Sequence, residues 1–187
     1  MTRNAYISSY IRTRGFTLME VLVALVIISI GLIGIAAMQA SAIASTHSSQ
    51  SESLVSIEAR SLADAMQANP NYWRGGNFPT EAFSVSAPAS GSSLGTVTDA
   101  TLESQTTNCA TTACSISQLA GYDVRTWGAQ LNSVVPGATA GIFCQAAKPT
   151  TCNITVSWSQ KATAAVNSGT QSTATPTAMS YTLTNQF

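Results

Sequence analysis

Apolar residues along the chain follow three successive patterns before the first proline. From Val21 to Met38 they are nearly continuous, eighteen residues without a charge. At 1.5 Å per residue that run predicts a helical segment of about 27 Å, close to the hydrocarbon thickness of a bilayer. From Gln39 to Ser53 large apolar side chains give way to Ser, Ala, Thr and Gln. From Leu54 to Met66 they return at helical spacing, with Leu54, Val55, Ile57, Ala59, Leu62, Ala65 and Met66 forming a wide stripe. The first proline is Pro70, and the Asn69-Pro70 pair disfavours continuing a helix. One helix from about Thr17 to Asn69 is therefore expected, roughly 80 Å long, with an outer half able to dock on a sheet.

Beyond Pro70 the pattern weakens and then sharpens. Asn71 to Asn108 has scattered Gly, Pro, Ser and Thr and reads as an irregular connector with a short strand near Phe83 to Val85. Ser117 to Val135 places Leu119, Tyr122, Val124, Trp127, Leu131, Val134 and Val135 at mostly helical spacing, and Pro136-Gly137 ends that second helix. In Cys152 to Trp158, Cys152, Ile154, Val156 and Trp158 alternate with Asn153, Thr155 and Ser157, the period of a half-buried strand. Thr139 to Gln145 is its expected partner. Setting Cys144 opposite Cys152 also sets Ile142 opposite Ile154, so cysteines and pattern agree on one register. Met179 to Asn185 adds a further strand, reached through a Ser/Thr/Ala-rich loop from Lys161 to Thr177 that is expected to be mobile. The class is α+β, with a small antiparallel sheet.

Composition narrows the functional classes. At 187 residues there is room for one membrane helix and a globular domain of roughly 100 to 150 residues. Eight basic and eight acidic residues balance, but Arg3, Arg12 and Arg14 precede the apolar run; without them five basic residues face eight acidic ones, net −3. Such a body is a poor binder of nucleic acid, which needs clustered Lys and Arg. The same three arginines place the amino terminus in the cytoplasm by the positive-inside rule, and everything after Met38 outside. Four cysteines fit an oxidising compartment. Of three possible connectivities, local pairing of Cys109 with Cys114 and Cys144 with Cys152 is expected, the second supported by the strand register. No CxxC pair occurs, and the only histidine, His47, lies in the polar section of the long helix, which speaks against zinc. His47 reads as a solvated or subunit-contact residue. No nucleophile has a suitably placed partner and no phosphate-binding glycine motif occurs, so neither an enzyme nor a cofactor is expected.

One charge stands at the entrance of the apolar run. Glu20 would cost up to about 2.5 to 3.5 kcal/mol if carried to the centre of a membrane helix. Gly15, Phe16, Thr17, Leu18 and Glu20 resemble the processing site of type IV prepilins and type II secretion pseudopilins, with Arg12 and Arg14 ending the leader. The run LMEVLVALVI is similar to that of PilV-type minor pilins and I-type minor pseudopilins. The resemblance covers about a quarter of the chain. A secretory signal cut near Ala40-Ser41-Ala42 competes with it, but the apolar run exceeds the usual 7 to 15 or so residues. An uncleaved anchor would leave Gly15 and Glu20 unexplained.

The resemblance implies a pilin-like fold in which the long amino-terminal helix packs on the sheet. It divides the chain into a leader at 1–15, a membrane and filament-core half-helix at 16–38, an outer half-helix at 39–69 and a head at 70–187. It implies cleavage between Gly15 and Phe16 by prepilin peptidase, N-methylation of Phe16 and an assembly role for Glu20. The implied function is that of a minor pilin that primes a type IV pilus and lies at or near its tip. Its partners would be other minor pilins, the major pilin, a tip adhesin and the inner-membrane assembly platform. The chain would reside in the inner membrane of a Gram-negative bacterium with its head in the periplasm, then on the cell surface. A minor pseudopilin of type II secretion is the alternative, and a membrane-anchored periplasmic binding module that never polymerises is a third. Gly31 and Gly34 read as sites of close helix packing. Related pilins lose helical order hereabouts in the filament, which instead makes the two glycines weak points. Some pseudopilins bind calcium, and Asp99, Glu103 and Asp123 are the acids to consider. Their spacing matches no calcium loop and favours solvated acids.

Overall fold

The computed structural model describes residues 15–160 and 176–187. The order of elements is α1 (Leu18–Ala68), α2 (Pro70–Trp73), β1 (Phe83–Pro88), β2 (Gly95–Val97), α3 (Ala100–Glu103), α4 (Ile116–Val134), β3 (Thr139–Gln145), β4 (Thr151–Gln160) and β5 (Thr177–Gln186). The architecture is α+β and pilin-like: a long amino-terminal helix with an antiparallel five-stranded sheet. The chain divides into two compact units, Met1–Ala42 and Ile43–Phe187.

Local chemistry sets the helix ends. Pro70 cannot continue α1 but suits the first turn of α2. α4 opens on a capping box: the Ser115 hydroxyl accepts the Gln118 N–H at 3.3 Å, and Gln118 Oε1 accepts the Ser115 N–H at 2.9 Å. It closes before Gly137, whose φ of +80° lets the chain turn into β3.

The sheet runs β2-β1-β3-β4-β5, every neighbouring pair antiparallel. β3 and β4 pair with Cys144 opposite Cys152 and Ile142 opposite Ile154. Disulfides join Cys144 to Cys152 and Cys109 to Cys114. Ala140, Ile142 and Cys144 of β3 turn inward with Cys152, Ile154, Val156 and Trp158 of β4. They share one core with Val55, Ala59, Leu62 and Met66 of α1 and with Val124, Trp127 and Leu131 of α4. Polar bonds lock these layers together: Trp127 Nε1 donates to the Glu58 carbonyl at 2.8 Å, and Asn185 Nδ2 donates to the Ala63 carbonyl at 3.1 Å.

Three expectations need correction. Asn71 to Asn108 is no irregular connector: it supplies two strands and two short helices, including one edge of the sheet. The short strand expected near Phe83 to Val85 is β1, but β2 and the two helices were not foreseen: they are only three or four residues long, too short for a period to show. Within the apolar stripe of α1, Ile57 is 62% exposed while Glu58 is buried. Positions 55, 59, 62 and 66 follow one face, and at 100° per residue Ile57 falls away from it. Asp99 and Glu103 are engaged in structure and are not free acids, as described below. The loop expected from Lys161 to Thr177 falls mostly outside the described residues, and Thr177 already belongs to β5.

Candidate processing and assembly site

Gly15, Phe16 and Thr17 precede α1 without regular structure. Thr17 caps the helix: its hydroxyl accepts the Glu20 N–H at 3.2 Å, and its carbonyl accepts the N–H groups of Glu20 and Val21 at 3.1 and 3.3 Å. This satisfies amides that a helix start leaves without partners. It also sets Glu20 in the first turn, where the helix dipole favours a carboxylate. Thr17 was expected as the start of the helix but not as its cap, although a threonine three residues before a glutamate is the signature of a capped start. Among the described residues nothing lies within 4 Å of where a Cβ on Gly15 would point.

Phe16 and Glu20, four residues apart, line one shallow apolar recess of about 310 Å³ together with Val21, Ala24 and Leu25. Phe16 is 80% exposed and Leu18 91%. An eighteen-residue window of α1 reaches a mean hydropathy of 2.9 with none of it buried, and α1 is long and apolar enough to cross a membrane. Each Val, Leu or Ile left in water forgoes about 1.5 to 3 kcal/mol. None of the described residues supplies that cover, so this half of α1 calls for apolar surroundings such as lipid or other helices. α1 runs unbroken through Gly31 and Gly34, and a Cβ at either would meet open space.

Residues 11–36 match the family model described as the prokaryotic N-terminal methylation motif. No curated protein and no solved structure matches the chain. The motif spans Arg12, Arg14, the Gly15-Phe16 pair, Glu20 and most of the apolar run. It is a type IV prepilin-like signal, which implies processing by prepilin peptidase and membrane-associated assembly. With the exposed apolar helix behind it, the motif argues for membrane anchoring.

The other residues singled out in the sequence lie apart from this site. His47 is exposed on α1. Among the described residues no group of three His, Cys, Asp or Glu side chains could hold a metal. Asp99 caps α3 by accepting the Leu102 N–H at 2.9 Å. Glu103 accepts the Val97 N–H at 2.8 Å and faces Arg125 at 3.5 Å. Arg125, which carried no periodic signal on α4, is 9% exposed and donates to three carbonyls: Gly95 at 3.2 Å, Glu103 at 3.0 Å and Gln105 at 2.9 Å. One buried guanidinium thus fastens β2 and α3 to α4.

Asp123, half-buried on α4, has its pKa pushed up to about 6 by burial. The folded state therefore holds a proton that the unfolded chain has released above about 3.8. Asp123 costs stability progressively as pH rises from about 4 to 6, and the cost stays constant above that. Discounted for its partial exposure, it is about 1 to 2 kcal/mol. Asp123→Asn is expected to raise the unfolding free energy at pH 7 by that amount, read as a higher urea midpoint, and to leave it unchanged at pH 3.5. Equal urea midpoints for the two chains at pH 7 would refute this role.

Proposed function

We propose that this chain is a PilV-type minor pilin and a structural subunit with no enzymatic activity. Prepilin peptidase cuts it between Gly15 and Phe16, Phe16 is N-methylated, and the mature subunit primes a type IV pilus and lies at or near its tip. The supporting observation is the pairing of the methylation motif with an apolar half-helix that none of the described residues covers, in a chain that continues into a disulfide-bonded α+β head. Helices of the major pilin and of other minor pilins supply that cover in the fibre, the inner-membrane platform delivers the subunit, and a tip adhesin is the outward partner. Before assembly the head lies in the periplasm of a Gram-negative cell. The test is to shear filaments from cells, probe them for this chain and determine its amino terminus. Presence in pili with Phe16 first is expected. A processed chain absent from pili, with secretion lost on its deletion, overturns the pilin reading in favour of a pseudopilin.

Glu20 carries the assembly step in this proposal. Cleavage leaves an ammonium on Phe16, and packing apolar helices together buries it in a low-dielectric setting. A neighbouring carboxylate offsets much of that penalty, whether it comes from the same chain or the next. Glu20→Val is expected to leave insertion, disulfides and cleavage intact but to lower the amount of the chain in sheared pili about tenfold or more, a factor reached with about 1.4 kcal/mol of lost pairing. Equal incorporation of the variant would remove Glu20 from the assembly step.

A further inference from the structure

The two edges of the sheet are built differently. β2 closes one edge with three residues, and its pairing with β1 slips between Ser86 and Pro88. Shortness, irregularity and a nearby proline are devices that keep an edge from pairing with another chain. β5 closes the other edge with ten residues in unbroken register with β4, and its sequence TAMSYTLTNQ contains neither proline nor charge. The Phe187 N–H donates to the Thr150 carbonyl at 2.9 Å. Odd-numbered positions of β5 therefore aim their backbone groups at β4. Ala178, Ser180, Thr182, Thr184 and Gln186 aim theirs away from it. Among the described residues no strand meets that outward row.

The core is also incomplete along this edge. Ile154 and Val156 of β4 are fully buried, whereas Leu183 and Tyr181, their partners on β5, are only partly buried, and so is Met179. A groove of about 400 Å³ beside β5 is lined by Tyr181 and by Ser56, Ile57, Arg60, Ser61 and Asp64 of α1. Its most exposed apolar wall is Ile57, the residue that left the core stripe.

We propose that β5 is the docking edge for an extended segment of a partner protein, which adds to the sheet as a sixth strand. A row of outward N–H and C=O groups is matched by extended backbone, and alternate side chains of the added strand turn into the groove over Ile57 and Tyr181. Charge selects the composition of that strand. β5 carries no charge, and the groove carries Arg60 and Asp64, one of each sign and one helical turn apart. The complementary strand is therefore net uncharged, with apolar residues at alternate positions. Its arrival covers Met179, Tyr181 and Leu183.

The probe is an end-blocked, fluorescein-labelled peptide of alternating Val and Thr, matched in length to β5. It is titrated by anisotropy against the full chain in detergent micelles, with empty micelles as blank. Saturable binding is expected, weakened about tenfold or more by Ser180→Pro, which removes an outward N–H and spares the β4 ladder. Ile57→Glu, which puts a charge into the groove without touching the strand, is expected to weaken it comparably while leaving circular dichroism and both disulfides unchanged. Absence of saturable binding, or equal binding by both variants, overturns the proposal. Self-association of the unaltered chain that Ser180→Pro abolishes also overturns it, by assigning the edge to a second copy.

Discussion

Gly15→Val is expected to leave the chain uncleaved when it is expressed with prepilin peptidase, processing falling about 100-fold or more. The peptidase must bring its reacting groups against the Gly15-Phe16 backbone, and an enzyme can lose about that factor when the reacting bond is held about 1 Å out of place. Gly15 lies before the first turn of α1. A branched side chain there obstructs an approaching active site but meets none of the described residues. Thermal unfolding of the variant should therefore match that of the unaltered chain, which separates a recognition defect from a folding defect. Mass spectrometry of the amino terminus reads the result. A Gly15→Val chain still starting at Phe16 in normal yield would refute this requirement, and a mature unaltered chain starting after Ala42 would refute the cleavage site itself.

Arg125→Met should produce the largest loss of stability among single substitutions outside the apolar core, about 3 kcal/mol, or roughly 6 to 12 °C in Tm for a domain of this size. Methionine fills much of the same space but donates nothing, so the carbonyls of Gly95, Glu103 and Gln105 lose a shared partner. Leaving a buried acceptor without a donor costs about 1 kcal/mol or more each. The ion pair with Glu103 adds little, because the Glu103 side chain is 38% exposed and water screens it. Arg125→Lys keeps the charge but cannot reach three acceptors from one rigid fork, and is expected to recover less than half of the loss. Urea denaturation in detergent measures both. A Met variant within about 1 kcal/mol of the unaltered chain would show that water replaces the guanidinium.

Read alone, the sequence determined whatever depends on near neighbours. The uncharged run of α1 and its end at Pro70 are set within a few residues. The Ser115 capping box is just as local, but the pattern of apolar residues shows only the body of α4 and placed its start at Ser117. The alternation in Cys152 to Trp158 and the cysteine opposite it determined the β3–β4 register, because a one-residue slip would have put Ile142 and Ile154 on opposite faces of the sheet. The motif around Gly15 and Glu20 was legible for the same reason: its requirements are consecutive, and residues 11–36 carry them all.

Tertiary structure decided what depends on distant partners. β1 and β2 exist because β3, which follows them by some forty residues, offers Phe83 and Val85 an inner face to share; alone, three- and six-residue strands cannot hold their shape. Arg125 looks like a solvent charge until α3 and β2 fold against it. Ile57 left its expected place in the core and Glu58 is buried because the face of α1 that is buried was chosen by the sheet and α4, and not by the hydrophobicity of each residue. The open edge of β5 is likewise invisible in a strand's own sequence, since only the order of strands says which one comes last.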